Sequence, residues 1–239
     1  MSLDAAFDTP AAKRRYVRAL FATIADRYDF ITRFLSYGQD RRWKRTLIAR
    51  ARVHAGERAL DLASGTGDLA VGVAALGARA IGLDITHRMM ELAQHRVARL
   101  PHRIPFLTGD MTALPFAAAS FDLVTTGYGL RNVPDLDASI DEIVRVLKPG
   151  GRLLSLDFNR PEHPLIRTAY LGYLTVVGSA LGWILHGDPD TYRYIPESIR
   201  RYPGARGVAD RLASRGFQAV EVVPLLFGLM SLHIARRAP

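Results

Sequence analysis

Three carboxylates stand at the ends of short apolar runs in the first half of the chain. Asp61 and Asp84 each follow such a run, and Asp110 follows a third after a glycine. A carboxylate at the carboxyl end of a parallel strand can accept hydrogen bonds from the hydroxyls of a ribose. One such acid alone would be explained as a helix cap. Three in succession indicate a site for a ribose-bearing ligand.

A glycine turn follows the first of these acids. The segment Gly65-Thr66-Gly67-Asp68-Leu69-Ala70 matches G-x-G-x-x-A, and Asp84 comes nineteen residues after Gly65. Glycines in such a turn let the backbone approach the ligand closely, and the later acid reaches its ribose. By itself this pattern fits a nicotinamide dinucleotide as well as S-adenosylmethionine.

Three further features favour S-adenosylmethionine. Asp61 would repel a nearby pyrophosphate, whereas it suits the ammonium of a methionine moiety. Asp110 can accept a hydrogen bond from an adenine amino group, and Met111 can pack on the ring. No arginine or lysine closely follows the glycine turn to neutralise a second phosphate. A nicotinamide-dependent oxidoreductase is therefore the less favoured alternative.

Alternating strand and helix patterns place these residues in an α/β fold. A parallel sheet covered on both faces is typical of this alternation. The last two strands are separated by five residues and predict an antiparallel hairpin, and residues 11–52 predict helices broken near Ser36. The predicted strands are 58–63, 79–84, 104–108, 121–126, 151–157, 217–223 and 229–236, and the helices between them are 68–76, 86–99, 136–147 and 205–215.

Composition limits the classes of function. The 239 residues include no cysteine, which excludes disulfides and thiolate chemistry, and the seven histidines lack ligand spacing, so no metal site is predicted. The net charge is +9, with thirteen bases and four acids from Lys13 to Arg58. This surface favours contact with anionic lipid, and no nucleic-acid motif accompanies it. The amino terminus lacks the pattern of a secretory signal, which predicts a cytoplasmic protein.

The stretch 165–186 is almost entirely apolar and interrupts the α/β pattern. Its length approaches that of a membrane span. Because the strand pattern resumes after it, we favour a lid over an apolar ligand. A buried core helix is the plainer alternative, and a transmembrane helix is the least favoured one.

Several segments resemble the ubiquinone/menaquinone biosynthesis C-methyltransferase family, in matching order and spacing from about residue 28 to the carboxyl terminus. The segments that carry the resemblance are Tyr28-Asp29 with Ser36 and Trp43, Asp61-Leu62-Ala63-Ser64-Gly65-Thr66-Gly67-Asp68, Gly129-Leu130-Arg131-Asn132-Val133, Arg145-Val146-Leu147-Lys148-Pro149-Gly150-Gly151, and Tyr192-Arg193-Tyr194 with Glu197-Ser198-Ile199.

The resemblance implies a seven-stranded Rossmann-like methyltransferase fold and transfer of a methyl group from S-adenosylmethionine to a ring carbon of a prenylated quinol. It also implies that Thr66, Asp84, Asp110 and Met111 contact the cofactor. With the residues argued above, the predicted cofactor-binding set is Asp61, Gly65, Thr66, Gly67, Asp84, Ile85, Asp110, Met111 and Gly127.

The same resemblance places Tyr28, Arg131 and Asn132 against the ring. Arg131 would stabilise a phenolate, since an arginine stays protonated in proteins. Asn132 and Tyr28 would orient the oxygens, and Asp157 is a candidate to relay the proton through water. The naphthoquinol demethylmenaquinol is the favoured acceptor, in menaquinone or ubiquinone biosynthesis.

Departures from the family pattern concern the acceptor side. Ile31 and Thr32 replace Met-Asn, Asp40 replaces a histidine, Gly127 replaces a serine, and Asn159 lies in an altered Glu-x-Ser segment. They keep open a methyltransferase for another lipid-like molecule. A non-catalytic scaffold is disfavoured by the intact glycine loop.

We divide this single domain into an N-terminal helical extension (1–57), a cofactor-binding core (58–160), an apolar substrate cover (161–204) and a C-terminal helix and hairpin (205–239). We expect transient contact with an anionic membrane surface, at the inner face of the membrane, and no nucleic-acid partner. A homodimer is compatible with the sequence.

Overall fold

The computed structural model describes residues 3–101 and 103–239, which form one mixed sheet with helices on both faces. The strands are β1 (Arg58–Leu62), β2 (Arg79–Asp84), β3 (Phe106–Thr108), β4 (Phe121–Gly127), β5 (Leu147–Phe158), β6 (Phe217–Leu225) and β7 (Met230–Arg237). The helices are α1 (Pro10–Ile24), α2 (Tyr28–Leu35), α3 (Asp40–Ala51), α4 (Asp68–Ala74), α5 (His87–Val97), α6 (Leu136–Val146), α7 (Pro164–His186), α8 (Tyr194–Arg201) and α9 (Gly204–Ser214).

The sheet has seven strands in the order β3-β2-β1-β4-β5-β7-β6. The first five are parallel, and β7 runs antiparallel to both β5 and β6. The chain order reverses between β1 and β4, and ligands of open α/β sheets bind at the carboxyl ends of the strands near such a reversal. The prediction of a seven-stranded α/β fold with a C-terminal hairpin is confirmed.

Alternating side chains of the strands fill two cores, one on each face of the sheet. Leu60 and Leu62 of β1 face α6 and α9, where Ile140 and Leu212 lie. Ala59 faces the other side, where apolar residues of α3, α4 and α5 pack. A strand buried on both faces reads as a nearly continuous apolar run. Burial on both faces holds the strands in place and thereby fixes the positions of the acidic residues at or near their carboxyl ends.

Two strands begin two or more residues away from the predicted positions. β3 begins at Phe106 rather than at residue 104, consistent with the inability of Pro105 to donate a ladder hydrogen bond. β5 begins at Leu147, before the predicted glycine turn, because Leu147 already pairs with Phe121. The register then shifts before Arg152 pairs with β4, so the glycines form an irregularity inside the strand.

The apolar stretch forms one helix, α7, that lies on the outside of the protein. Only 22% of its most apolar window is buried, and it is a described helix long and apolar enough to cross a membrane by length and composition. This exposure does not fit the alternative of a plain core helix. Gly178 and Gly182 have a packing role, because an added Cβ would approach Tyr192 O to 3.2 Å and Asp188 O to 2.4 Å. The following chain can thus lie directly against α7.

Candidate active site

Two connected cavities open at the carboxyl ends of the strands. The sheet-edge cavity, of about 650 Å³, lies over β1, β2 and β4, and the helix-lined cavity, of about 960 Å³, lies beneath α2, α7 and α8. The cavities share four wall residues: Phe21, Tyr28, Tyr128 and Asn132. A group bound in one cavity therefore lies next to a group bound in the other.

Asp84 lies at the end of β2 in the wall of the sheet-edge cavity. Its Oδ2 accepts a hydrogen bond from Gly65 N at 3.0 Å, and its Oδ1 accepts one from Thr86 N at 2.9 Å. Burial raises the pKa of this carboxyl, and the two backbone donors oppose the shift. Each oxygen keeps a second lone pair, so the carboxylate can also accept the hydroxyls of a ribose.

Asp110 and Met111 follow β3 and line the far part of the same cavity. Asp110 Oδ2 lies 2.7 Å from Arg14 Nε, and its Oδ1 accepts hydrogen bonds from Thr112. Met111 is buried. Ile85 lies in the same wall, so a flat ring can pack between apolar side chains beside a carboxylate. This arrangement fits the adenine contact predicted for the two residues.

Asp61 holds the glycine turn. Its Oδ2 accepts hydrogen bonds from Ser64 Oγ at 2.6 Å and Ala70 N at 3.2 Å, and its Oδ1 accepts one from Thr125 Oγ1 at 2.8 Å. Burial raises its pKa to about 6, against the opposing effect of these donors. The geometry supports a positioning role, and direct contact of Asp61 with a ligand ammonium stays a prediction.

The other residues of the turn divide between cavity walls and packing. Gly65 lines the sheet-edge cavity together with Gly127 at the end of β4, and cofactor binding by these glycines stays a prediction. Thr66 lies outside it, where its hydroxyl donates to Asp29 Oδ1 at 2.8 Å. Gly67 lines neither cavity and has a φ of +87°; an added Cβ would lie 2.8 Å from the ring of Phe106. Its place is therefore explained by backbone conformation and packing.

Arg131 is buried at the wall of the helix-lined cavity. Its Nε lies 3.4 Å from Asp157 Oδ1, its backbone N donates to Asp157 Oδ2 at 3.0 Å, and its Nη1 donates to Ser198 Oγ. The guanidinium also lies 5.0 Å from the centre of the Phe158 ring. Asp157 is fully buried behind Arg131 and lines neither cavity. The geometry thus favours Asp157 as a positioning residue over the predicted proton relay.

Asn132 and Tyr28 lie where the two cavities meet. Asn132 Nδ2 donates to Tyr128 O at 2.7 Å, while its buried Oδ1 has no partner among the described residues. Burial raises the pKa of Tyr28 to about 12, so its hydroxyl is a neutral donor. Both residues line the two cavities, and their contact with an acceptor ring stays a prediction.

Tyr128 is a wall residue that the sequence alone did not indicate. It lines both cavities, and its hydroxyl donates to Asp40 Oδ1 at 2.7 Å. Its φ of +63° is unusual for an aromatic residue and aims the ring between the cavities. The only sequence signal was its position between Gly127 and Gly129, at the end of a buried strand.

Comparison with known proteins identifies the family. The sequence model of the ubiE/COQ5 methyltransferase family matches residues 9–237. The chain belongs to this family. It is 38% identical to the demethylmenaquinone methyltransferase of Thermus thermophilus over 91% of this chain and 100% of that protein. It is also 38% identical to the ubiquinone/menaquinone biosynthesis C-methyltransferase UbiE of Rubrivivax gelatinosus, over 95% of this chain and 88% of that one.

Solved structures confirm the fold. A SAM-dependent methyltransferase from Thermotoga maritima is 20% identical with a TM-score of 0.67, covering 92% of this chain and 99% of that one. A phosphoethanolamine N-methyltransferase 2 of Haemonchus contortus in complex with S-adenosyl-L-methionine has a TM-score of 0.62 at 17% identity, covering 83% and 53%. With the family match, these results confirm that the protein is an enzyme, a methyltransferase that uses S-adenosylmethionine.

The cavity geometry fits this cofactor. Asp84, for which the sequence predicts a ribose contact, and Asp110 and Met111, for which it predicts adenine contacts, all line the sheet-edge cavity with Gly65. The reactive end would then lie toward Asn132 and Tyr128, which line both cavities. The alternative of a nicotinamide oxidoreductase is excluded by the family.

Proposed function

We propose that the enzyme methylates a ring carbon of a prenylated quinol and that demethylmenaquinol is the preferred acceptor. The relative from Thermus thermophilus is named for demethylmenaquinone, and the one from Rubrivivax gelatinosus for both ubiquinone and menaquinone biosynthesis. Several other relatives of comparable identity carry the demethylmenaquinone name. These names support the naphthoquinol and leave the benzoquinol as the alternative.

The unpartnered amide oxygen of Asn132 is the observation that carries the proposal. A buried polar atom without a partner is unfavourable by about 1–3 kcal/mol, so such an atom in a cavity wall indicates a ligand donor. Asn132 Oδ1 is buried at the wall common to both cavities. A quinol hydroxyl can donate such a hydrogen bond. The quinol ring would then lie next to the sheet-edge cavity, which we assign to the methyl donor.

The helix-lined cavity suits the rest of such a molecule. Arg131 is the one charged residue among its described lining residues, which are mostly aromatic and aliphatic. Such a lining suits an apolar two-ring head group and the first part of a prenyl tail. Tyr170, Tyr173 and Leu174 of α7 form part of this wall, in agreement with the predicted cover over an apolar ligand.

Arg131 provides the charge that activates the ring. A phenolic hydroxyl has an ordinary pKa near 10, and its ionised form makes the neighbouring carbon nucleophilic. A guanidinium stays protonated and stabilises the phenolate more strongly where water is excluded. Asp157 and Ser198 hold this guanidinium in one orientation. Asp157 and Ser198 therefore fix the position at which Arg131 stabilises negative charge.

The other side chains align the ring. S-adenosylmethionine supplies an electrophilic methyl group on a sulfonium sulfur when it is bound. Asn132 accepts a hydroxyl of the quinol, and Tyr28 donates to an oxygen or packs on the ring edge. Orientation of this kind can contribute several kcal/mol to the rate of an in-line displacement.

The decisive experiment combines purified protein, S-adenosylmethionine and chemically reduced demethylmenaquinone, with product mass followed by liquid chromatography and mass spectrometry. A parallel reaction contains the benzoquinol precursor of ubiquinone. We expect a gain of one methyl group on the naphthoquinol. Exclusive methylation of the benzoquinol would reverse the choice of head group. No product from either, with cofactor binding intact, would move the acceptor to another lipid-like molecule.

We further propose that the enzyme works in the cytoplasm and docks on the inner face of the membrane, from which its acceptor enters. Val176, Trp183 and Ile184 of α7 expose 71%, 69% and 68% of their surface. Tyr37 stacks on Tyr173 at 6.2 Å and joins α2 to α7 beside the helix-lined cavity. Other exposed apolar side chains on these two helices are Phe30, Phe34, Leu165 and Ile166.

Arginines of the N-terminal helices complement this apolar surface. Exposed arginines include Arg27, Arg33 and Arg41, beside the apolar side chains of α2. Each basic residue near an anionic bilayer contributes about 1 kcal/mol to binding. An anionic membrane surface is therefore the partner that matches both the charge and the apolar side chains.

A further inference from the structure

A third cavity, the cation-lined cavity, adjoins the helix-lined cavity at Arg131, which lines both. It shares Val133 and Pro134 with the sheet-edge cavity, and its other walls come from α1, α6, α8 and α9. Its charged lining residues are the four cations Lys13, Arg131, Arg201 and Arg211 and the two carboxylates Asp135 and Asp137. The wall of this cavity therefore carries an excess of positive charge.

The three arginines of this wall already have carboxylate partners. These partners are Asp157 for Arg131, Glu197 for Arg201 and Asp137 for Arg211. Asp135 is used as the cap of α6, where its Oδ1 accepts a hydrogen bond from Ala138 N at 3.0 Å. Among the residues that the structure describes, Lys13 is thus the cation of this cavity that lacks a carboxylate partner.

Lys13 is held at the cavity by contacts that leave its charge uncompensated. Its Nζ donates to the backbone oxygen of Arg131 at 3.2 Å and lies 5.8 Å from the centre of the Phe7 ring. The same ring lies 4.3 Å from the guanidinium carbon of Arg201, so Phe7 holds two cations near each other. An ammonium has three N–H donors, and the Arg131 carbonyl accepts one of them. Two donors of Lys13 are therefore left for a ligand.

Tyr202 gives a second, independent indication of a ligand in this cavity. The residue is only 4% exposed and lines the cavity, and its buried hydroxyl has no partner in the described part of the chain. Burial raises the pKa of Tyr202 well above its ordinary value, so the hydroxyl is a neutral donor. A buried hydroxyl without a partner is unfavourable, and in a cavity wall it indicates that a ligand supplies the acceptor.

We propose that the cation-lined cavity binds a phosphate or diphosphate group. Such a group offers several anionic oxygens, which can accept charge-assisted hydrogen bonds from Lys13 and a further one from the Tyr202 hydroxyl. It would also offset the repulsion between Lys13 and the neighbouring Arg131. Leu130 and Leu136 lie in the same wall, so the group can be a free anion or part of an organic molecule. Binding of this anion does not depend on the proposed methyl acceptor.

The bound anion should act on methyl transfer through Arg131. This consequence rests on the role proposed above, in which the positive charge of Arg131 stabilises the phenolate. An anion beside Lys13 lowers the positive potential at Arg131 and thereby disfavours a second negative charge in the helix-lined cavity. The anion would therefore inhibit turnover without occupying the cavity of either substrate.

The binding test is a calorimetric titration of inorganic pyrophosphate in chloride buffer. The protein is first saturated with S-adenosylhomocysteine, so that pyrophosphate cannot enter the cofactor site. Lys13→Met and Tyr202→Phe should each weaken pyrophosphate binding by about tenfold or more, the effect of losing a hydrogen bond to a charged group. Tyr202→Phe keeps the ring in the core and costs the free protein no hydrogen bond, so it is expected to fold.

Lys148→Met is the matched control for the loss of a lysine. Lys148 pairs with Asp122 at 2.7 Å and does not line the cation-lined cavity, so its loss should leave pyrophosphate binding unchanged. The same titration with isopentenyl diphosphate distinguishes the two sources of the anion. If isopentenyl diphosphate binds more tightly than pyrophosphate and this affinity depends on Lys13, the ligand is an organic diphosphate. Equal affinities identify the free anion.

The effect on catalysis is measured with the quinol as acceptor. Saturating pyrophosphate should lower kcat on the order of tenfold in the wild type, as expected for one added negative charge near Arg131. In Lys13→Met the same concentration should change kcat by less than about twofold, relative to the rate of that variant without pyrophosphate. If no quinol is methylated at all, the proposed function fails, while the binding test still decides on the anion site.

Three results would overturn the proposal. The first is the absence of pyrophosphate binding to the wild type, and the second is equal affinity in the wild type and in both Lys13→Met and Tyr202→Phe. The third is binding that occurs only without S-adenosylhomocysteine, because the anion would then lie in the cofactor site. Pyrophosphate that binds through Lys13 and leaves kcat unchanged would disprove the link to Arg131.

Discussion

The carboxylate of Asp157 lies directly behind the guanidinium of Arg131 and holds both its backbone and its side chain. Oδ2 accepts from the Arg131 backbone N at 3.0 Å, while Oδ1 lies 3.4 Å from its Nε. The Asp157 carboxylate thereby fixes both the backbone of the turn after β4 and the orientation of the Arg131 guanidinium. The pair is buried, so loss of one member leaves the other without compensation.

Arg131→Ala should lower kcat by about 10²–10³-fold, the effect of removing one preorganised donor at a developing negative charge. The affinity for S-adenosylhomocysteine should remain unchanged, because Arg131 lines the helix-lined cavity and not the sheet-edge cavity. Steady-state kinetics and calorimetry measure the two quantities. Arg131→Lys serves as the control that keeps the charge. Loss of cofactor affinity in a folded Arg131→Ala protein would remove Arg131 from the acceptor site.

Asp84→Ala should weaken binding of S-adenosylhomocysteine by about 1–3 kcal/mol, since the ribose loses its acceptor. The turn at Gly65 also loses a hydrogen bond, so thermal unfolding should be followed in the same samples. Asp122→Ala is the matched control, because Asp122 is a carboxylate of β4 that pairs with Lys148 away from both cavities. Equal effects of the two substitutions on binding would argue against a ribose contact.

Lys13→Met should stabilise the protein most below pH 8. Burial and the neighbouring Arg131 lower the pKa of Lys13 to about 8, from 10.5 in the unfolded chain. Between these values the unfolded state binds more protons, so the wild type gains stability as the pH rises. The difference in unfolding free energy between the variant and the wild type should shrink by on the order of 1 kcal/mol from pH 7 to pH 10. Urea unfolding at several pH values measures it, and a pH-independent difference would contradict the assigned shift.

Flotation with liposomes tests the docking surface. The double variant Trp183→Gln, Ile184→Gln should reduce the bound fraction on neutral and anionic vesicles alike. The double variant Arg33→Gln, Arg41→Gln should reduce it on anionic vesicles alone, by about 1 kcal/mol for each arginine, and salt should mimic this effect. Leu76→Gln, which alters an exposed leucine just after α4, is the control. If binding does not depend on the charge of the lipid, the arginines do not contact the membrane.

Much of the fold followed from sequence because the strands are buried on both faces. The apolar runs that end at Leu62 and Asp84 have no other stable placement, and the hairpin at the carboxyl terminus follows from its short connection. The orientation of α7 was not predictable, since a helix that is apolar on nearly all sides gives no periodic signal. The close approach of Tyr192 to Gly178 determines which side of α7 faces the rest of the protein.

Site residues at strand ends could be predicted from the sequence. Site residues defined by contacts between distant segments could not. Asp84 and Asp110 were indicated by their position after apolar runs. Lys44 was quoted in no motif, and its contact with Asp68, twenty-four residues later, is visible only in the structure. Asp157 was identified as a site residue, but its burial behind Arg131 could only be seen in three dimensions.

The shared wall at Tyr28 and Tyr128 divides the enzyme into exchangeable parts. The sheet supplies most of the wall of the sheet-edge cavity, while the helix-lined cavity is built mainly from α1–α2, α7–α8 and the tip of the C-terminal hairpin, together with Arg131 and Asn132 after β4. These segments lie outside the strand order that defines the fold. The proposed acceptor cavity can therefore be reshaped in the peripheral helices while Arg131 and Asn132 are kept, which makes this architecture a platform for new methylation specificities.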